Sequence, residues 1–278
     1  MTGALPAICP ACGGRLSAEA DWRYRCGACR HLCSTLDAGP GTGIAGLEAL
    51  RRQNFSRLLD RLASTHALEG KRLLEVGAAK GWFLEAARSR GLVVRGIEPE
   101  VANAHAARAA GFDVDIGLFP EALSDDGPYD VIVFNDVFEH LPDPAAGIRS
   151  VADLLAPGGV AVLNLPSSDG AIYQLARILA GLGMPGPLDR LWQVGFPSPH
   201  ISYFNPKSLS LLVEGHTDLR QADAFALATV TRAGLWERVA SSHRGPIGGV
   251  LFAGTWLLSW ALPLLPADIH VGVFRKPS

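Results

Sequence analysis

The sequence predicts an α/β protein built on a doubly wound parallel sheet, with a small cysteine-rich unit ahead of it. Three observations predict this. From residue 70 onward, short apolar runs alternate with helical patterns, as strand–helix–strand units require. The first such run, Leu73–Val76, stops at Gly77 and leads through a tight turn into a helix. The N-terminus carries two C-x-x-C pairs, Cys9-Pro-Ala-Cys12 and Cys26-Gly-Ala-Cys29.

Thirteen residues separate the two cysteine pairs. Paired knuckles at such a spacing read as a four-thiolate tetrahedral zinc site. Pro10, Gly13, Gly14 and Gly27 supply the tight turns, and Leu16–Cys26 forms a hairpin with Trp22 and Tyr24 on one face. Residues 1–36 thus resemble a zinc ribbon, with Cys9, Cys12, Cys26 and Cys29 as ligands. With all four positions filled, that zinc is structural. Cys33 is read as a bystander thiol and His31 as a weak reserve ligand. Residues 37–69 are a linker and a packing helix. Asp37–Gly46 is rich in glycine, and Leu47–Leu68 bears one apolar stripe opposite its arginines.

The core pattern starts at Leu73. The turn after Val76 holds Gly77, Ala79 and Gly81, and Lys80–Arg90 follows as a helix. Glycine lets backbone approach a ligand closely, and the helix start presents unpaired N–H groups to it. Leu92–Ile97 is the second strand. Glu98 at its end lies about 20 residues past the turn, where an acid accepts hydrogen bonds from ribose hydroxyls. A dinucleotide fingerprint starting at Gly77 needs glycine at positions 79 and 82, where Ala79 and Trp82 stand. Glu75 adds a carboxylate that suits an ammonium group better than a phosphate. A nucleoside with an amino-acid tail, S-adenosylmethionine, fits this charge pattern.

Further elements continue the alternation. Pro99–Ala110 is a helix, Phe112–Ile116 a strand, Tyr129–Phe134 a strand, Ala145–Leu155 a helix and Val160–Leu165 a strand, with Pro157-Gly-Gly159 between the last two. Gly77, Glu98, Asn135 and Asn164 all fall at the carboxyl ends of strands, where such sheets bind ligands. Residues 166–205 hold an apolar helix at Ala171–Leu182 and the run Phe196–Pro206, a connection long enough to be functional.

Glu75-Val-Gly-Ala-Ala-Lys-Gly81, Gly96-Ile-Glu-Pro99 and Tyr129-Asp-Val-Ile-Val-Phe-Asn-Asp-Val-Phe-Glu-His-Leu-Pro-Asp-Pro144 together resemble class I S-adenosylmethionine-dependent methyltransferases. The nearest subgroup is the ubiquinone-type O-methyltransferases and the sugar- and glycan-modifying enzymes around them. Ala79 departs from the family, which has glycine there. The resemblance implies a Rossmann-like seven-stranded sheet over residues 70–278 whose last strand, His270–Arg275, is antiparallel. It also implies a helix from Pro206 to Glu214, a sixth strand within Asp218–Thr231, adenine contacts at Leu118 and Phe119, and a substrate-covering insertion at 166–205. A second insertion spans 236–266.

Methyl transfer to a hydroxyl needs an oriented acceptor and a base. His140, just past the fourth strand, and His200, in the insertion, are the two candidates. Asp136 and Glu139 read equally well as capping or solvated groups. The sequence shows no further carboxylate-rich cluster for a catalytic magnesium, so a metal-free transfer step is expected. The formal net charge of −2 leaves no electrostatic footprint for nucleic acid. A small metabolite, sugar or glycan/lipid-linked acceptor is expected instead. Transfer to nitrogen or carbon stays open, as does a zinc-ribbon binding module on a degenerate scaffold.

Met1–Pro10 has no charged segment followed by an apolar one, so a cytoplasmic location is expected. Ile247–Leu265 is uncharged over nineteen residues. It has the length of a membrane span. Pro263, its glycines and the need to return His270–Arg275 to the sheet argue against crossing. A peripheral membrane or dimer contact through 247–265 is the expectation.

Overall fold

The computed structural model describes residues 8–37, 39, 48–125, 127–230, 236, 245, 249, 252–254, 256, 259–260 and 264–278. Most of the 247–265 segment, with Ile247, Gly248 and Pro263, lies outside the described residues, as does most of the linker before Glu48.

The ribbon strands are β1 (Leu16–Ala20), β2 (Arg23–Cys26) and β3 (Leu32–Ser34). Helix α1 (Glu48–Ala63) leads to β4 (Arg72–Val76), α2 (Trp82–Arg88), β5 (Val93–Glu98), α3 (Val101–Ala109), β6 (Val114–Ile116) and β7 (Tyr129–Asn135). After them come α4 (Pro144–Leu154), β8 (Leu155–Pro166), α5 (Ala171–Gly181), α6 (Gly186–Leu191), β9 (Ser202–Tyr203), α7 (Pro206–His216), β10 (Arg220–Leu227) and β11 (Ile269–Arg275).

Seven strands form the main sheet in the order β10-β11-β8-β7-β4-β5-β6. Strands β4 to β8 pair in parallel, and β11 runs antiparallel to both β8 and β10. The expected sheet, with its antiparallel last strand, is therefore present. The chain order reverses between β4 and β7, which places a ligand crevice beyond their carboxyl ends.

The period of two along the strands divides the core. Val131, Val133, Val160, Val162, Val271 and Val273 face α1 and α2, where Phe55, Leu58, Leu59, Phe83 and Leu84 meet them. Ile132, Phe134, Ala161, Leu163 and Phe274 face α4 and α7, under Ile148, Val151, Leu209 and Leu212. Burial on both faces explains why these strands read as near-continuous apolar runs. Each fully buried leucine contributes about 1.5–3 kcal/mol.

Some boundaries differ from the sequence reading. Pro157-Gly-Gly159 does not separate helix from strand. It lies inside β8, where pairing steps from Tyr129↔Leu155 to Val131↔Val160, so the extra residues bulge out of the ladder. The helix expected over 80–90 is confined to Trp82–Arg88, because Gly81 at φ +81° ends the preceding turn. Trp22 lies in the turn between β1 and β2 and packs edge-on against Trp192 at 5.5 Å, not beside Tyr24 in a strand.

The ribbon also does not stand apart. Strand β9 from the insertion joins it as a fourth strand, with Leu32↔Tyr203 and Cys33↔Ser202 paired. Among the described residues, no helix is long and apolar enough to cross a membrane. Trp256 and Trp260 are exposed, with ring centroids 6.1 Å apart.

Candidate active site

The first half of the site grows from β4. Gly77, Ala79 and Gly81 take φ values of +76°, +45° and +81°, folding the turn back over the strand end. At Gly77 an added Cβ would stand 2.4 Å from Val137 Cγ2. Ala79 is the one non-glycine residue of the three, and left-handed backbone costs it about 1–2 kcal/mol. Its N–H donates to Glu98 Oε2 at 2.8 Å, which offsets that cost. The departure from glycine is thus accommodated locally.

Glu98 closes β5 and is buried. Its Oε1 accepts the Glu100 N–H at 2.9 Å. Burial raises its pKa, against the pull of these two backbone donors. Each carboxylate oxygen keeps a second lone pair, so ribose hydroxyls still have acceptors there. The sequence reading gave Glu98 a ligand role and missed that it also ties the glycine turn to β5.

Glu75, on β4, is 2% exposed. Its Oε1 accepts Asn135 Nδ2 at 3.0 Å, and Asn135 Oδ1 accepts Asn164 Nδ2 at 3.2 Å. The three residues form a polar chain across the ends of β4, β7 and β8. Glu75 Oε2 is buried without a hydrogen-bond partner. Burial pushes the Glu75 carboxyl up to about 8, with the Glu98 charge adding to the rise. An orphaned buried acceptor costs about 1–3 kcal/mol, so the site fits a cationic group that approaches it. Leu118 is exposed after β6, whereas Phe119 is buried edge-on against Phe134 at 5.6 Å.

The second half follows β7. Asp136, at φ +55°, lies 3.4 Å from Arg51 of α1, and the short 3-10 turn Phe138–His140 comes next. His140 Nδ1 lies 2.9 Å from the Pro199 carbonyl oxygen. A carbonyl only accepts, so Nδ1 carries the proton and Nε2 keeps its lone pair. Ser198 Oγ is 3.3 Å from the same Nδ1.

The His140 and His200 rings meet edge-on, with centroids 4.8 Å apart. His200 Nε2 is 2.9 Å from the Gln193 amide nitrogen and 3.9 Å from Glu139 Oε1. Burial lowers the pKa of both histidines, and the repulsion that two protonated rings side by side would feel lowers His200 further. Both are neutral at pH 7. Glu139 is 1% exposed, and burial raises its pKa far above the usual carboxylate range.

The structure thus brings together the two histidines that the sequence singled out 60 residues apart. It adds Glu139, whose carboxylate reads in sequence like any solvated acid. One donor atom from each of Glu139, His140 and His200 lies within 4.8 Å of the others. Glu75 and Asn135 touch directly, and Glu98 holds the turn that carries Gly77, Ala79 and Gly81.

The sequence model of a family described as "Methyltransferase domain" matches residues 47–216. The chain belongs to that family. Ubiquinone biosynthesis O-methyltransferase of Ralstonia nicotianae is 35% identical over 128 residues, covering 43% of this chain and 53% of the relative. The enzyme of the same name from Stutzerimonas stutzeri is 32% identical over 119 residues, covering 40% of this chain and 51% of the relative. The chain spans about half the length of the curated relatives it matches.

Two solved structures share the fold at low identity. Cyclopropane synthase MmaA2 from Mycobacterium tuberculosis aligns with a TM-score of 0.58 at 13% identity, covering 87% of this chain and 90% of that one. Magnesium protoporphyrin IX methyltransferase from Synechocystis, solved with bound SAH, aligns at 0.54 and 13% identity, covering 86% and 90%.

The four expected metal ligands of the chain converge. Cys9 and Cys29 sulfurs lie 3.6 Å apart, Cys12 and Cys26 sulfurs 3.5 Å, and all four form one group. A tetrahedron with Zn–S bonds of about 2.3 Å has edges of about 3.8 Å, so the donor set fits zinc. His31 and Cys33 are buried but outside that group. The ribbon reaches the histidine pair through hydrogen bonds that sequence spacing gave no sign of. Ser34 Oγ donates to the His200 carbonyl at 2.8 Å, and Ser34 N–H donates to the Ile201 carbonyl at 2.8 Å. Asn205 Nδ2 donates to the Cys29 carbonyl at 3.0 Å, and Ile201 N–H to the Glu139 carbonyl at 2.9 Å.

Proposed function

We propose that this methyltransferase moves the methyl group of S-adenosylmethionine to a hydroxyl of a small acceptor, with His140 as the base. The cofactor, when bound, supplies an activated methyl on a sulfonium. Glu98 offers acceptors to the ribose, and Glu75 a buried carboxylate to the ammonium. Gly77 keeps backbone close enough for both. The observation that carries the base assignment is the His140 Nδ1–H bond to the Pro199 carbonyl at 2.9 Å, which fixes the tautomer and leaves Nε2 to take the hydroxyl proton. His200, fully neutral and packed edge-on, holds the His140 ring in place. The O-methyltransferase relatives support a hydroxyl acceptor. In the same reading the ribbon holds one structural zinc, whose work is to fix the strand that leads out of His200.

Calorimetry with S-adenosylmethionine, followed by incubation with a metabolite extract and mass detection of a methylated product, tests the activity. His140→Ala should lower turnover by roughly a hundredfold or more with cofactor affinity unchanged. No cofactor binding at millimolar concentration would remove the methyl-transfer reading. A second reading is favoured by the grouping of Glu139, His140 and His200 within 4.8 Å. In that reading these three residues would hold a divalent cation, which would supply Lewis acidity to lower the pKa of the acceptor hydroxyl. Turnover abolished by brief EDTA treatment and restored by a divalent transition metal such as manganese, with the ribbon zinc retained, selects that reading.

A further inference from the structure

The ribbon and the insertion meet along a seam that holds a cavity of about 260 Å³. Three of its lining residues are arginines from three different elements: Arg25 of β2, Arg30 of the second knuckle and Arg177 of α5. Among the described residues the one carboxylate on its wall is Asp169, 3.4 Å from Arg30. Arg25 reaches Glu19 at 3.4 Å, but Glu19 is shared with Arg23 at 3.2 Å. Arg177 has no ion-pair partner among the described residues. Among the described residues the wall therefore carries three arginines against one carboxylate. Guanidinium groups arranged in this way match the oxygens of a phosphate, which each can bind with two parallel N–H donors.

The cavity's position ties it to the active site. Ser168 and Asp169 on its wall follow the carboxyl end of β8, the edge on which the site opens. Tyr173, also on the wall, packs at a tilt against Tyr203 with ring centroids 4.4 Å apart, and Tyr203 lies 5.4 Å from the His200 ring. Two aromatic rings thus separate the arginines from the histidine pair.

We propose that this cavity binds a phosphate or diphosphate group of the methyl acceptor, so that the acceptor is a phosphate ester whose hydroxyl lies toward His140. That the bound molecule is the methyl acceptor rests on the proposed methyl transfer; the anion site itself does not. It gives the ribbon a second task, since Arg25 and Arg30 are its residues.

The test uses the full chain as purified, with inorganic pyrophosphate as the probe. Calorimetry should show one pyrophosphate bound per chain. Arg177→Gln, a change on an exposed helix position, should weaken it about tenfold or more. Arg30→Gln should weaken it similarly, with S-adenosylmethionine affinity equal in all three proteins. Equal pyrophosphate binding by wild type and both variants means an adventitious ion only and overturns the proposal. So does the absence of binding at ten-millimolar probe, on the order of the weakest useful affinity. Phosphatidylglycerol vesicles serve as a second arm. Capture by vesicles that free pyrophosphate fails to compete assigns the arginines to a lipid surface and also overturns it. Failure of S-adenosylmethionine to bind wild type would sink the methyl-transfer reading separately, whatever pyrophosphate does.

Discussion

The two halves of the proposed site, one assigned to the cofactor and one to the acceptor, are made in different ways. The cofactor half is local: the bond from Ala79 to Glu98 joins residues 19 apart. The acceptor half is assembled from a distance: Ser34 meets His200 across 166 positions, and Asn205 meets Cys29 across 176. A β-strand, a glycine turn, a helix and a second strand fix one another's geometry, so the first half needs little outside support. The second half has no such local frame. It is held by a four-cysteine unit that pairs with β9 and thereby fixes the residues leaving His200. On this view, the metal should matter to turnover and not to cofactor binding.

The sharpest way to break that comparison is to unload the ribbon. Chelation of zinc, or Cys12→Ser, should release β3 and with it the Ser34 bonds to His200 and Ile201. A base displaced by about 1 Å costs on the order of a hundredfold in rate. We expect turnover to fall at least that far while S-adenosylmethionine affinity, measured by calorimetry on the same sample, stays within about twofold. Hydrogen exchange should rise in 198–204 and stay unchanged in 75–98. Parallel loss of cofactor binding would show that the halves are not independent.

The mirror experiment is Glu98→Ala. Losing two charge-assisted contacts of about 1.5–3 kcal/mol each should weaken cofactor binding more than tenfold. Zinc content should not change. Glu98→Gln sharpens the point, because both carboxylate oxygens accept backbone N–H groups. An amide must turn an NH₂ toward one of them, so Gln should not rescue affinity. Full rescue would mean that the Ala79 and Glu100 bonds do not shape the turn.

The same contrast explains what was legible in the sequence. Gly77, Ala79, Gly81, Glu75 and Glu98 were readable because a strand–turn–helix–strand unit fixes their spacing, and the cysteine pairs because metal ligands need adjacent knuckles. The seven-stranded sheet followed from alternating apolar runs. The bulge at Pro157-Gly-Gly159 was not readable, since a Pro-Gly-Gly run marks a chain reversal as well as it marks a bulge. Ser34, Gln193 and Asn205 were not readable either. Their roles depend on β9 pairing with β3, and a two-residue strand leaves no periodicity. Glu139 was visible as a residue, but its charge state is set by complete burial, which comes from the insertion packed over it.

The smallest expected effect concerns Glu75 and can be argued to its sign. In the protein alone, burial foremost and then the Glu98 charge hold its pKa at about 8, against 4.5 for the free side chain. Between those values the folded chain keeps a proton that the unfolded chain gives up. The contribution of Glu75 to stability is therefore full below pH 4.5 and is lost as pH rises toward 8. At pH 7 the side chain is mostly protonated. An ammonium group brought against the unpartnered Oε2 favours the carboxylate, so cofactor binding should expel up to about one proton at pH 7. Calorimetry in phosphate and in Tris, whose ionisation enthalpies differ, reads this proton from the difference in apparent heat. The release should disappear in Glu75→Gln, which keeps the shape and removes the titration. It should also fade well above pH 8, where Glu75 is already ionised. Equal heats in the two buffers at pH 7 would place the cofactor's ammonium away from Glu75 and leave Glu98 as the main anchor of the cofactor half.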